Sequence, residues 1–175
     1  MRQSDKMPNL RWAEILADAL LRAGVRAVAI LPDSAVAKVH ERLADKTVAL
    51  RITREEQGIA LLAGAYFAGL PGALLMQNTG LGNCINALAS FAIPCGVPML
   101  LVVNLRGDVG EFSPAQIPMG LATAPILQAL GIPLLTLGTD ADVEMQVPGS
   151  MKLAIAAKRP VALLLRSTLT GGKAG

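Results

Sequence analysis

Read for its hydrophobic and polar positions, the chain alternates stretches of helical period with short apolar runs, the pattern of a mainly parallel sheet covered by helices on both faces. Leu10 to Ala23 carries an apolar face at helical spacing and stops at Gly24. Val25 to Leu31 reads as a strand ending in the Pro32-Asp33-Ser34 turn, where Asp33 or Ser34 can cap a helix with Val36, Val39 and Leu43 inward. Thr47 to Thr53 is a second strand. Arg54 to Ala68 follows as a helix opened by two acidic residues, as the helix dipole favours. Ala73 to Asn78 is a third strand, and Thr79-Gly80-Leu81-Gly82-Asn83 its turn into a helix reaching Ala92. Pro98 to Asn104 forms a fourth strand and Leu105 to Pro118 an irregular stretch. Helix Met119 to Leu130, strand Ile132 to Leu137, a helix over Gly149 to Ala157 and strand Val161 to Arg166 complete a six-stranded, three-layer α/β/α domain. That domain takes in residues 1–169 and leaves 170–175 as a frayed tail.

Composition changes this picture in one place. No Asp, Glu, Lys, Arg or His occurs between Glu56 and Arg106. A membrane span over Gly58 to Met76 has the necessary length, but the Gly69-Leu70-Pro71-Gly72 breaker and the polar Gln77-Asn78-Thr79 argue against it. The stretch reads instead as the buried centre of the domain and its contact with another subunit, where a charge would be costly to desolvate. The net charge of +3 comes from scattered Lys and Arg, with no basic run to meet nucleic acid. Cys84 and Cys95 have no second Cys or His at ligand spacing and read as reduced thiols of a cytoplasmic protein without a signal peptide. His40 falls on the polar side of its helix and reads as solvated.

In open α/β sheets ligands gather at the carboxyl ends of the strands. Polar residues follow the strands there: Pro32-Asp33-Ser34, Arg54-Glu55-Glu56, Asn78 to Asn83, and Asn104 to Gln116. The Gly80-Leu81-Gly82 turn fails the dinucleotide fingerprint, because Ile85 stands where the third glycine belongs. Two glycines for close backbone approach is the plainer reading.

Glu56-Gln57-Gly58, with Gly64-Ala65-Tyr66 two turns on, resembles the pyrimidine-binding domain of thiamine-diphosphate enzymes. Leu75 to Ser90, Arg106 to Glu111 and Pro114 to Gly120 are similar to the sulfopyruvate and phosphonopyruvate decarboxylases of that family, a likeness running from about Val25 to Leu165. The resemblance implies that Glu56 hydrogen-bonds the cofactor's aminopyrimidine nitrogen and shares its proton, a task suited to a carboxyl whose pKa is raised by apolar surroundings. Glu55 would merely oppose the helix dipole. It further implies cofactor contacts from Thr79, Gly80, Leu81 and Asn83, and substrate contacts from Asp33, Ser34, Asn78, Arg106 and Gln116. Asp33 would relay a proton, although a helix cap explains it equally. Arg106 would pair with the substrate's sulfonate or phosphonate, although a surface salt bridge would also account for it.

Members of the family hold magnesium and the diphosphate through Gly-Asp-Gly and a later Asn. Here Gly107-Asp108-Val109 fails at its third position, and no other match occurs. The resemblance therefore implies the α subunit of a two-subunit 2-oxoacid decarboxylase, with magnesium and the rest of the thiamine diphosphate held by a β subunit in a hetero-oligomer. This chain would hold no metal and meet neither nucleic acid nor membrane. A non-catalytic regulatory or interaction domain of the same fold is the reading of a different class.

Overall fold

A computed structural model describes residues 11–31 and 36–172. The chain order is α1 (Arg11–Arg22), β1 (Ala27–Ile30), α2 (Ala37–Leu43), β2 (Val48–Arg51), α3 (Glu55–Phe67), β3 (Gly72–Gln77), α4 (Asn78–Ala87), β4 (Leu100–Asn104), α5 (Ile117–Ala129), β5 (Leu134–Leu137), α6 (Asp140–Ala157), β6 (Val161–Leu165) and α7 (Ser167–Thr170). A π-helical turn, Leu88–Ala92, extends α4, and a 3₁₀ turn, Pro114–Gln116, precedes α5. The strands form one sheet in the order β2-β1-β3-β4-β6-β5, with every pair parallel.

The continuous apolar runs are explained by the two helical layers. Every residue of β1, β4 and β6 is buried. Alternate side chains of β3 and β4 enter opposite cores: Ala73, Leu75, Leu100 and Val102 face α1, α2 and α6, while Leu74, Met76, Leu101 and Val103 face α3, α4 and α5. The edge strands β2 and β5 are more exposed. Because β2 and β3 flank β1 on opposite sides, the strand order switches direction between β1 and β3, and the crevice at that switch is the usual ligand position of such sheets.

Two elements differ from the pattern-based expectation. Helix α6 begins nine residues before Gly149, at Asp140. Thr139 caps it, its hydroxyl accepting from Asp142 N at 3.2 Å while the Asp142 carboxylate accepts from Thr139 N at 2.9 Å and Gly138 N at 3.0 Å. The buried stripe Val143, Val147, Met151 and Ala154 runs unbroken past Pro148, and its packing outweighs the one hydrogen bond the proline removes. Nor is Thr79 to Asn83 a turn, because β3 passes directly into α4, whose first turns contain both glycines.

The stretch from Gly58 to Met76 is divided between α3 and β3, and no helix among the described residues is long and apolar enough to cross a membrane. His40 is half-buried rather than solvated, with Nε2 out of water and unpartnered, because α2 lies along α1. Cys84 is buried and Cys95 exposed, both as free thiols.

Candidate active site

The first turn of α3 separates two adjacent carboxylates. Arg54 ends the preceding segment in an extended conformation, and the Gln57 side chain fixes that entry by accepting from Thr53 N at 3.0 Å and Arg54 N at 3.2 Å. Consecutive residues lie about 100° apart around a helix, so Glu55 and Glu56 diverge. Glu55 is buried against α4, where its Oε2 accepts from Asn83 Nδ2 at 3.0 Å. Its carboxyl lies so close to Gly80 that a Cβ there would overlap it, which explains the glycine. Glu55 thus joins α3 to α4, beyond the dipole role expected of it.

Glu56 turns the other way. Its Oε1 accepts from Arg54 Nε at 2.5 Å, whereas Oε2 is buried with no hydrogen-bond partner. A hydrogen bond from its own backbone amide, then the one from Arg54, hold the carboxyl below its ordinary pKa, while burial works against them. The raised pKa expected from apolar surroundings is therefore not a property of this chain by itself, because the hydrogen bonds from the backbone and Arg54 outweigh burial.

At the end of β3 the polar residues divide again. Gln77 is half-buried and its Nε2 donates to Thr79 Oγ1 at 2.7 Å and towards Gln116 Oε1 at 3.5 Å. Asn78 is fully buried. Its Nδ2 donates to Arg106 O at 2.9 Å and Thr123 Oγ1 at 3.1 Å, and its Oδ1 accepts from Arg106 N at 3.0 Å. This amide bolts α4, α5 and the segment after β4 together. Both ends of the amide are occupied within the chain, whereas the neighbouring Gln77 side chain stays at the strand end.

Beyond β4 the chain is held by two forked ion pairs. Arg106 Nε and Nη2 each donate at 2.6 Å to the Glu111 carboxylate, which also accepts from Gly107 N and Ser113 N, and Phe112 lies 5.8 Å from the guanidinium. Arg166 donates to both oxygens of Asp108 at 3.0 and 2.7 Å. These hydrogen bonds from arginine hold Asp108 and Glu111 well below the usual carboxylate range. The fork to Glu111 uses the Nε and Nη2 donors of Arg106. Among the described residues no group of three His, Cys, Asp or Glu could hold a metal ion.

The start of α3 thus meets α4 through Glu55, at Gly80 and Asn83, with Glu56 on the adjoining side, and Gln77 links Thr79 and Gln116 at the end of β3. Leu81 is fully buried in the second core. Asp33 and Ser34 lie outside the described residues. Gln77, Glu55 and the Asp108–Arg166 pair were missed by sequence reasoning; the one available signal was Gln77, the polar residue closing an apolar strand.

Residues 10–108 match the family described as thiamine pyrophosphate enzyme, N-terminal TPP binding domain. The chain is 38% identical over 155 residues to sulfopyruvate decarboxylase subunit alpha of Methanococcus maripaludis, covering 87% of this chain and 93% of that one. It is 42% identical over 114 residues to the subunit of the same name from Methanothermobacter thermautotrophicus, covering 65% and 69% of the two chains. In fold it is similar to 2-oxoglutarate:ferredoxin oxidoreductase from Magnetococcus marinus, with a TM-score of 0.71 at 16% identity over 94% of this chain and 29% of the other.

Proposed function

Because the chain belongs to the sulfopyruvate decarboxylase α-subunit family of thiamine pyrophosphate enzymes, we propose that it is the α subunit of a cytoplasmic, two-subunit decarboxylase. The enzyme converts 3-sulfopyruvate to sulfoacetaldehyde and carbon dioxide. Within it this chain holds the aminopyrimidine end of thiamine diphosphate, and a β subunit supplies the diphosphate and magnesium site.

The observation that carries the reading is the unpartnered, buried Oε2 of Glu56. A buried polar atom without a partner is costly, and a proton shared with a cofactor ring nitrogen would relieve the cost. When bound, thiamine diphosphate supplies the carbon nucleophile and the electron sink for decarboxylation. Glu56 would share with the pyrimidine ring nitrogen one proton taken up from solvent on binding, because that nitrogen carries none in the aminopyrimidine form. The first two turns of α4 offer Thr79, Gly80, Leu81 and Asn83 as the proposed cofactor contacts. Gln77 and Gln116 offer uncharged hydrogen bonds to the substrate, and Asp33 and Ser34 keep their proposed substrate contact on sequence grounds. A β subunit on the charge-free side agrees with the apolar side chains that α3 and the π turn expose, Leu61, Phe67 and Phe91.

The test pairs the chain with its β subunit and follows carbon dioxide release from 3-sulfopyruvate and from 3-phosphonopyruvate. Activity requires both subunits and favours the sulfonate. Glu56→Gln should leave assembly intact while slowing deuterium exchange at the thiazolium carbon. Turnover by the pure single chain, or exchange unaffected by Glu56→Gln, would refute the reading.

A further inference from the structure

The two oxygens of Glu56 differ before any ligand arrives. Oε1 is held by Arg54 Nε at 2.5 Å, and Oε2 is buried and unpartnered. Arg54 is the residue at which the extended chain enters α3, and its backbone is fixed by the Gln57 side chain, so its guanidinium projects from a defined root. Its side chain is 67% exposed and that of Glu56 is 30% exposed. Pairs this wet contribute little to folding. What the contact does restrict is rotation of the carboxyl group, which would otherwise exchange its two oxygens. An arginine donor is suited to this, because the planar fork fixes direction as well as charge.

We infer that Arg54 is a positioning residue for the proposed reaction: it pins Oε1 of Glu56 and thereby selects Oε2 as the oxygen that shares a proton with the pyrimidine ring. This rests on the proposed role of Glu56. A carboxyl free to rotate would present either oxygen and meet the ring in several orientations; a pinned one meets it in one. Arg54 also favours the ionised form, so that Glu56 awaits the cofactor as an acceptor. Among the described residues, the charged or titratable groups that interact with Glu56 or share its turn are Arg54 at the cap, Glu55 on the same turn and Cys84 on α4. The Cys84 thiol is pushed up to about 12 by burial first, then by Glu55 and Glu56, so it stays protonated and adds no charge.

The experiment uses the full chain without cofactor, labelled with glutamate carrying carbon-13 at the side-chain carboxyl. The Glu56 resonance is assigned by its loss in Glu56→Gln, and the titration is followed by NMR in wild type, Arg54→Gln and Arg54→Lys. Arg54→Gln should move the Glu56 midpoint to higher pH with the thermal unfolding temperature unchanged, and Arg54→Lys should restore part of the difference. In the assembled enzyme the acidic limb of the pH profile for thiazolium proton exchange should move the same way. An unchanged Glu56 titration in folded Arg54→Gln would overturn the inference. So would a parallel loss of unfolding temperature across both Arg54 variants, which would make the residue structural. If Glu56→Gln itself leaves exchange unaffected, the role of Glu56 has failed, and the NMR titration still reports separately on Arg54.

Discussion

Substituting Gly120 by alanine tests how closely α5 approaches the segment after β4. A Cβ at Gly120 would lie 2.7 Å from Arg106 O, 2.7 Å from Gly107 Cα and 2.7 Å from Gly107 O. All three are backbone atoms, so no side-chain rotation relieves the overlap. The segment is also fixed, because Asn78 holds Arg106 through both its N–H and its carbonyl. Overpacking of this kind costs about 1–3 kcal/mol, and drawing the carbonyl off Asn78 adds about 1–3 kcal/mol. Alanine returns about 1 kcal/mol in helix propensity, leaving a net loss of about 1–5 kcal/mol, at about 2–4 °C per kcal/mol in a domain of this size. Gly149→Ala is the control: it makes the same chemical change within α6, where a Cβ would meet nothing within 4 Å. It should gain about 0.5–1 kcal/mol. Thermal unfolding followed by far-ultraviolet circular dichroism reads both signs. If Gly120→Ala matches or exceeds wild type, or both variants move together, the close approach is absent and the argument fails.

Asn78→Leu should destabilise the chain by about 3 kcal/mol, since Arg106 N–H and carbonyl lose a buried partner, and the urea midpoint measures it. An unchanged midpoint would show that water reaches those groups. Asp108 and Glu111 have folded pKa values depressed below their unfolded ones, so the stability they contribute is complete above the ordinary carboxylate range and is lost as pH falls below about 4. Asp108→Asn should therefore be less stable than wild type at pH 7, and the gap should close on acidification. A gap independent of pH would exclude the Arg166 pair as its source.

The strands were readable because a sheet covered on both faces writes itself as apolar runs, and Gly24, Gly69 and Gly131 mark where helices stop. What could not be read was set by partners distant in sequence. Pro148-Gly149 has the look of a breaker, and only packing along the Val143 to Ala154 stripe carries α6 through it. Asn78 and Gln77 are equivalent as symbols, yet Thr123 and Arg106 decide which amide is occupied inside and which is left at the edge. The same holds for Glu55 and Glu56. Helix geometry says that they diverge, but Gly80 and Asn83 determine which of them is buried.

Because the sheet divides the interior into two cores, its backbone acts as a partition between two layers with different histories open to them. Substitutions among Leu16, Leu20, Val147 and Met151 are judged by their immediate neighbours in the α1, α2 and α6 layer. That layer can drift through many interchangeable apolar combinations, since cores tolerate exchange when volume is kept. The α3, α4 and α5 layer has no such latitude. Its inner face answers to the second core and its first turns to the site, so one substitution must satisfy both at once. Variation among descendants of this chain should therefore accumulate on one side of a single sheet.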